Sequence, residues 1–328
     1  MQNREILKIK EKISQLNLNL EGFEILTEVG SGLYNYMPLI PLLAGAQKVM
    51  AWTRDSRFGT ASEIINNCRE VAQVLPNFNK IEFYIGNLNE QHLRQADLIT
   101  NSALLRPLDQ SKLMYVKDST VIPLMFEAWE ARKEDVDIGY CNRRGIKVAG
   151  TNESHHHLNV FTQVGHLALK MAFEAGYEIY GNKIVIWSDD DFGQVIKEKF
   201  LMLDAADVIV TTDYEKLTQL IPTLDFVFIS DYDEERSYND STFFNLDRLR
   251  KLNQNFGIIH LFGEIDSLTL RDKGFNIYPP DNGIGKNMSR TLSYLGIEPF
   301  FSLMVGGFKV GEHLLRGNMN EKILQVLA

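Results

Sequence analysis

Short apolar runs alternate with amphipathic stretches along almost the whole chain. Phe23–Val29, Lys48–Trp52, Ile81–Ile85, Leu98–Asn101 and Leu113–Val116 are rich in branched and aromatic residues and predict strands. Tyr36–Ala46, Ser62–Leu75, Glu90–Ala96 and Asp109–Lys112 carry helical spacing between them. Pro38 falls in the first turn of its predicted helix, where a missing N–H costs little; Pro41 sits less comfortably. Past Ile122 a helix-like stretch reaches Trp129, and Ile146–Ala149 is a short strand. Thr151–Ser154 offers capping residues for a long helix over His155–Ala175. Lys183–Asp213 then reads as strand Ile184–Trp187, a tight turn, helix Val195–Leu203 and strand Val208–Val210. Further strands are predicted at Phe226–Ser230, Gly257–Phe262 and Phe275–Tyr278, and helices over Met288–Leu315.

Strands alternating with helices predict parallel sheets covered on both faces. The expected fold is α/β, with two Rossmann-like doubly wound parallel-sheet domains and an interdomain cleft. Residues 1–150 with 290–328 form the N-terminal, substrate-type domain, and residues 151–289 an NAD-binding-like Rossmann domain. The N-terminal stripe Ile6, Ile9, Ile13, Leu16 and Leu20 predicts a helix packed on the first domain.

Composition narrows the partners. The 328 residues are 45% hydrophobic and 23% charged, ordinary for a globular chain. A net charge of -9 argues against nucleic acid or an anionic membrane as partner. The longest apolar run, Met37–Ala46, holds two prolines and is too short to span a bilayer, which takes roughly 20 residues. Cys68 and Cys141 read as reduced, inert thiols of a cytoplasmic protein. A small-molecule ligand is the expected partner, and a homodimer is compatible with the pattern.

Residues from about Ala96 to Glu298 carry a family resemblance. ADLITNSALLRPLDQSKLMYV, EDVDIGYCNRRGIKVAGTNE, FTQVGHLALKMAF, KIVIWSDDDFGQVI, LDFVFISDYDEE and GIIHLFGEID succeed one another as such passages do in the D-2-hydroxyacid dehydrogenases, which this stretch resembles. The most specific passage is the second, similar to the family's crossover into its nucleotide domain. The resemblance implies NAD use and catalysis by an arginine, a glutamate and a histidine. Here the family's arginine falls on Phe262 and the asparagine near it on His260. The histidine's place reads YPPDNGIG, with Asp281 and Asn282, and Asp272 is the only acid near the glutamate's. The fingerprint glycines fall on Ser188, Asp190 and Gly193, so only the third is kept.

Those glycines let backbone N–H groups approach a pyrophosphate at a helix N-terminus. Asp189, Asp190 and Asp191 put charge there instead, and a carboxylate at that end is itself stabilised by about 0.3–1 kcal/mol. The loop can therefore act as its own anion, which disfavours NAD(P). The cofactor-contacting candidates on this rim are Ser188, Asp190, Phe192, Gly193 and Asp213, the last at the spacing of a ribose-binding acid. Asp231, Asp233, Glu234, Glu235, Glu264 and Asp266 would complete an acidic mouth favouring an amine, a cation or a neutral nucleoside-like group.

The first domain's rim is different, with Gly30 and Gly32 in a GSG turn and Arg54 after the next strand. Glycines with arginines suit an anion. ILTEVGSGLYN also resembles the first motif of class I methyltransferases, so an S-adenosylmethionine-dependent enzyme using Gly30–Gly32 is an alternative. A non-enzymatic interaction module is another. The leading expectation is a dehydrogenase-like protein that has lost the family's catalytic groups and binds a small or nucleotide-like ligand in the cleft. No metal site is expected: His155, His156 and His157 would diverge by about 100° each on a helix. His260 is the remaining catalytic candidate, expected at a strand end on the acidic rim.

Overall fold

In the computed structural model, residues 4–233, 236–283 and 288–328 are described. The chain divides into two compact units, residues 1–160 with 297–328 and residues 161–296. The sequence-based boundaries were 150 and 290.

The first unit begins with helix α1 (Arg4–Gln15) and strand β1 (Glu24–Glu28). There follow α2 (Leu39–Leu43), β2 (Lys48–Thr53), α3 (Ala61–Ala72), β3 (Ile81–Ile85), α4 (Glu90–Gln95), β4 (Leu98–Ile99), α5 (Gln110–Leu113), β5 (Val121–Pro123), α6 (Ile138–Arg144) and β6 (Lys147–Thr151). The second unit holds α7 (Gln163–Glu174), β7 (Lys183–Trp187), α8 (Asp191–Leu201), β8 (Asp207–Val210), α9 (Tyr214–Leu220), β9 (Phe226–Ser230), α10 (Leu246–Leu252), β10 (Gly257–Phe262), α11 (Ser267–Asp272) and β11 (Asn276–Tyr278). The chain then returns to the first unit with α12 (Ile297–Arg316) and β12 (Leu324–Val326).

The first sheet runs β12-β6-β5-β4-β1-β2-β3, parallel except for the edge strand β12, which pairs antiparallel with β6. The second runs β11-β10-β9-β7-β8 and is parallel throughout. Each therefore reverses strand order once, at β1/β4 and at β7/β9, the points where open α/β sheets hold ligands.

Strand alternation builds the second unit's two cores. Ile184 and Ile186 of β7 face Leu167, Phe200, Phe226 and Phe228 on one side. Val185 and Trp187 face Leu217, Val227, Leu249 and Phe275 on the other. In the first unit Leu26, Met50, Ile99, Ile122 and Val148 bury one sheet face with Leu93, Leu113 and Cys141. On the other face α12 lies so close that a Cβ on Gly307 would stand 2.2 Å from Met125 Sδ, and one on Gly311 2.1 Å from Leu98 Cδ1. Both thiols are buried and free, and burial pushes each up to about 12.

Several expected elements differ. Leu113–Val116 is not a strand. Leu113 closes α5, capped by Asp109, and the strand comes later at Val121–Pro123. The helix expected over Tyr36–Ala46 is reduced to a 3-10 turn at Gly32–Tyr36 and the five residues of α2, because prolines at 38 and 41 remove two donors. Past β5, the expected helix to Trp129 is one 3-10 turn, Ala128–Glu130. The long helix expected from His155 begins only at Gln163: Thr151 still belongs to β6 and residues 153–155 form turns. No helix among the described residues is long and apolar enough to cross a membrane.

Candidate functional site

The turn between β7 and α8 is built by its own side chains. Asp190 is the N-cap of α8, with extended backbone, and its Oδ1 accepts from Phe192 N at 3.0 Å and Ser188 Oγ at 2.7 Å. An N–H that a bound phosphate would use is therefore already engaged. Burial raises the Asp190 carboxyl above the usual aspartate range, Asp189 adds to this, and the hydrogen bonds oppose it. Gly193 keeps the job of a close-packing glycine. A Cβ there would lie 2.8 Å from Ser188 Cβ and 2.9 Å from Val210 Cγ1.

Phe192 fills the space over the turn. Its ring stacks on Phe161 at 4.7 Å, lies 4.9 Å from Phe262 and 6.1 Å from Tyr232. Phe262, where the resemblance puts the family's arginine, is a buried member of this cluster. Asp213 is the N-cap of α9, its Oδ1 accepting from Glu215 N at 3.0 Å and Lys216 N at 3.1 Å. It is committed to its own helix.

The acidic mouth expected on this rim is corrected by one residue. Arg236 reaches three carboxylates, Asp189 at 2.9 Å, Asp231 at 3.0 Å and Asp233 at 3.0 Å. Asp231 is fully buried and also accepts from Tyr238 Oη. The carboxylates hold the Arg236 guanidinium well above its ordinary value against the cost of burial. Asp266 caps α11 through Thr269 N at 3.1 Å. Glu234 and Glu235 lie outside the described residues. Asp189, Asp231 and Asp233 are thus paired internally through Arg236. Arg236 follows directly on the LDFVFISDYDEE passage, but its partners come from the ends of two strands, which spacing alone does not reveal.

His260 is not at a strand end. It lies inside β10, 2% exposed, with Nε2 2.8 Å from Ser267 Oγ. Burial, helped by the Arg290 charge, lowers its pKa to about 3, so the ring is neutral. Asp281 pairs with both terminal nitrogens of Arg290 at 2.8 and 2.9 Å, and Asn282 Oδ1 accepts from Leu268 N at 3.2 Å. His155, His156 and His157 stand in a turn, so helical divergence does not apply to them. Their ring centroids are 3.9–5.6 Å apart. Among the described residues no group of three or more histidine, cysteine or acidic side chains is arranged to hold a metal ion.

At the first unit's reversal point, β1 ends in the turn Gly30–Gly32. A Cβ on Gly30 would lie 2.8 Å from Tyr34 Cβ, and Gly32 has φ +60°. Glu28, fully buried at the end of β1, accepts from Leu104 N at 2.7 Å. Burial and the Glu28 charge push Tyr34 up to about 12, against Arg106. Arg54 follows β2 and stands over Trp52 at 5.8 Å. Asn101 and Ser102 follow β4 and are buried. Sequence reading placed Asn101 and Ser102 on the same rim as Gly30, Gly32 and Arg54.

No protein-family model matches the chain, and neither does any curated protein. Solved structures do. A dipicolinate synthase polypeptide from Bacillus halodurans is 10% identical with a TM-score of 0.54, over 92% of this chain and 100% of that one. Its counterpart in the dipicolinate synthase of Bacillus subtilis is 12% identical with a TM-score of 0.55, over 93% and 100%. A Ralstonia solanacearum protein of the D-3-phosphoglycerate dehydrogenase oxidoreductase type is 10% identical with a TM-score of 0.51, over 91% and 96%. The likeness is one of fold, two parallel-sheet α/β units as in these dipicolinate synthase and dehydrogenase structures. These neighbours do not favour the methyltransferase alternative.

Proposed function

We propose that this chain is a dehydrogenase-fold protein that has given up standard D-2-hydroxyacid dehydrogenase chemistry and serves to bind a small or nucleotide-like ligand. The observation that carries the reading is Asp190. It engages the α8 N–H and the Ser188 hydroxyl that a pyrophosphate would meet, while Phe192 packs into a ring cluster above. Supporting it, the family's arginine and asparagine places hold a buried Phe262 and a neutral His260, and Asp281 is paired to Arg290. Asp213, the acid that would hold a ribose, is committed to capping.

A thermal-shift titration with NAD, NADP and adenosine tests this. A ligand at 100 times its Kd adds about 2.7 kcal/mol, a rise of roughly 5–10 °C for units of this size. The expected outcome is no such rise with NAD. A rise with NAD that Asp213→Ala or Gly193→Val abolishes would show a working nucleotide seat and defeat the reading.

A further inference from the structure

Residues 161–296 hold a cavity of about 260 Å³, walled by α10, α11 and the segment 238–245 that leads into α10. Its floor is apolar. Tyr238, Phe244, Leu246, Leu270 and Phe275 line it, each 8% exposed or less, and Tyr238 meets Phe244 edge-to-face at 5.1 Å. All five belong to the core on the α9–α11 face of the second sheet. Phe192 and the other buried residues of α8 pack on the opposite face, so the cavity is separate from the turn between β7 and α8. An apolar floor under a few polar groups is the make-up of a small-molecule site. The space falls just short of the roughly 300 Å³ at which drug-sized ligands begin to fit, so its occupant is smaller than those and far smaller than a dinucleotide.

Two opposite charges stand on its walls. Asp247 of α10 and Lys273, the residue after α11, both line the cavity, and among the described residues neither is in a salt bridge. The other carboxylate on the wall, Asp266, is committed to α11: its Oδ1 accepts from Thr269 N at 3.1 Å and its Oδ2 from Thr269 Oγ1 at 2.6 Å. Asp247 has no such duty, because α10 is capped by Asn245, whose Oδ1 accepts from Arg248 N at 2.8 Å. The walls are fixed without either charge. Asn239 Oδ1 accepts from Asp266 N at 2.8 Å and ties the segment to α11, leaving its Nδ2 as a further donor on the wall. Arg250 donates to the Lys273 carbonyl and ties α10 to the end of α11.

We infer that this cavity binds a free α-amino acid with an apolar side chain, its ammonium at Asp247, its carboxylate at Lys273 and its side chain on the floor of Tyr238, Phe244 and Leu270. Complementarity decides the class. A simple anion or cation would meet one of the two charges as a repulsion and leave the floor uncovered. An uncharged hydrocarbon would leave both charges unmet. A zwitterion with an apolar body answers all three features at once. The site is additional to the ligand reading above and does not depend on it.

The test is a calorimetric and thermal-shift titration of the full chain with leucine and phenylalanine. The controls are leucinamide, which lacks the carboxylate, 4-methylpentanoate, which lacks the ammonium, and glycine, which lacks the apolar body. At least one of the two amino acids should bind with a millimolar or lower Kd, and each control should bind about tenfold more weakly than leucine or phenylalanine, or not at all. Asp247→Asn and Lys273→Gln should each weaken binding about tenfold or more. Both side chains are exposed and outside any salt bridge, so the unliganded Tm should stay nearly unchanged. Ser241→Trp, from an exposed position on the wall, should fill the space and abolish binding; should that variant not fold, the two charge variants decide. The inference is overturned if neither amino acid binds at millimolar concentration, or if the Asp247→Asn/Lys273→Gln double variant binds as the parent does. It is also overturned if leucinamide and 4-methylpentanoate bind as well as leucine. NAD binding, found or absent, bears on the turn between β7 and α8 and leaves this outcome untouched.

Discussion

A carboxylate where a turn would otherwise take glycine must find its own donors, and Asp190 does so at a cost set by its burial. Its side chain caps α8, but desolvation raises its pKa above the unfolded value. Such a group contributes stability that is present below the ordinary aspartate range, near 3.9, and lost as pH rises through the raised folded value. Asp190→Asn keeps a good cap and removes the buried charge. It should therefore match or exceed the parent's stability at pH 7 and show less loss between about pH 4 and 7 in urea denaturation. Asp190→Ala loses the cap and should be less stable at pH 7 by about 1 kcal/mol. The self-capped turn was legible in SDDDFG, because a helix N-terminus and a run of carboxylates stand next to each other in sequence. Arg236 was not, because its three partners reach it across the ends of β7 and β9. The same holds for the amide of Asn101, which has no hydrogen-bond partner among the described residues, since an unmet hydrogen bond is a property of surroundings and not of residue type.

At the scale of the element, α12 sets helix propensity against packing. Ala is favoured over Gly in a helix interior by about 0.8–1.0 kcal/mol. At Gly311, however, an added Cβ meets Leu98 Cδ1 at 2.1 Å and Pro123 Cγ at 3.1 Å, and overpacking costs about 1–3 kcal/mol. The packing term should win, so Gly311→Ala lowers the Tm despite the better helix former, and Leu98→Ala in the same chain restores part of the loss. An increase in Tm for the single variant would mean that α12 shifts freely on the sheet. Strands with long branched runs, such as Ile81–Ile85, Phe226–Ser230 and Gly257–Phe262, were readable to the residue. Two of the short ones were not. Val121–Pro123 and Leu324–Val326 are three residues each and are strands only because a neighbour pairs with them. Leu113 and Val116 are buried, so their apolar run is genuine, but it packs from a helix end rather than a strand. α6 carried its signals openly, with Asp137 capping Tyr140 N and Gly145 at φ +71° closing it, inside a passage read mainly for its family likeness.

At the scale of the whole chain, the two units differ in how their cores are assembled. Residues 161–296 are continuous and bury both sheet faces with their own helices, Leu167 and Phe200 on one side and Leu217 and Leu249 on the other. The first unit is interrupted. Its sheet is completed by β12 on β6, with Val148 N donating to Ala328 O at 2.9 Å. One face is covered by α12, which brings Phe301, Val305, Phe308, Val310 and Leu314, all fully buried. Removing residues 297–328 would expose those strands and five large or branched contacts at once. Each such contact contributes roughly 1.5–3 kcal/mol, together about the whole stability of a domain. A chain ending at residue 296 should therefore retain one cooperative melting transition, that of residues 161–296, with the first unit unfolded. Residues 161–296 expressed alone should melt at nearly the same temperature. Hydrogen exchange would read the difference directly: β7 and β9 amides stay protected in the truncated chain while those of β1, β4 and β6 exchange freely. Persistent protection of β1 and β4 there would mean that the first sheet holds without its returning helix.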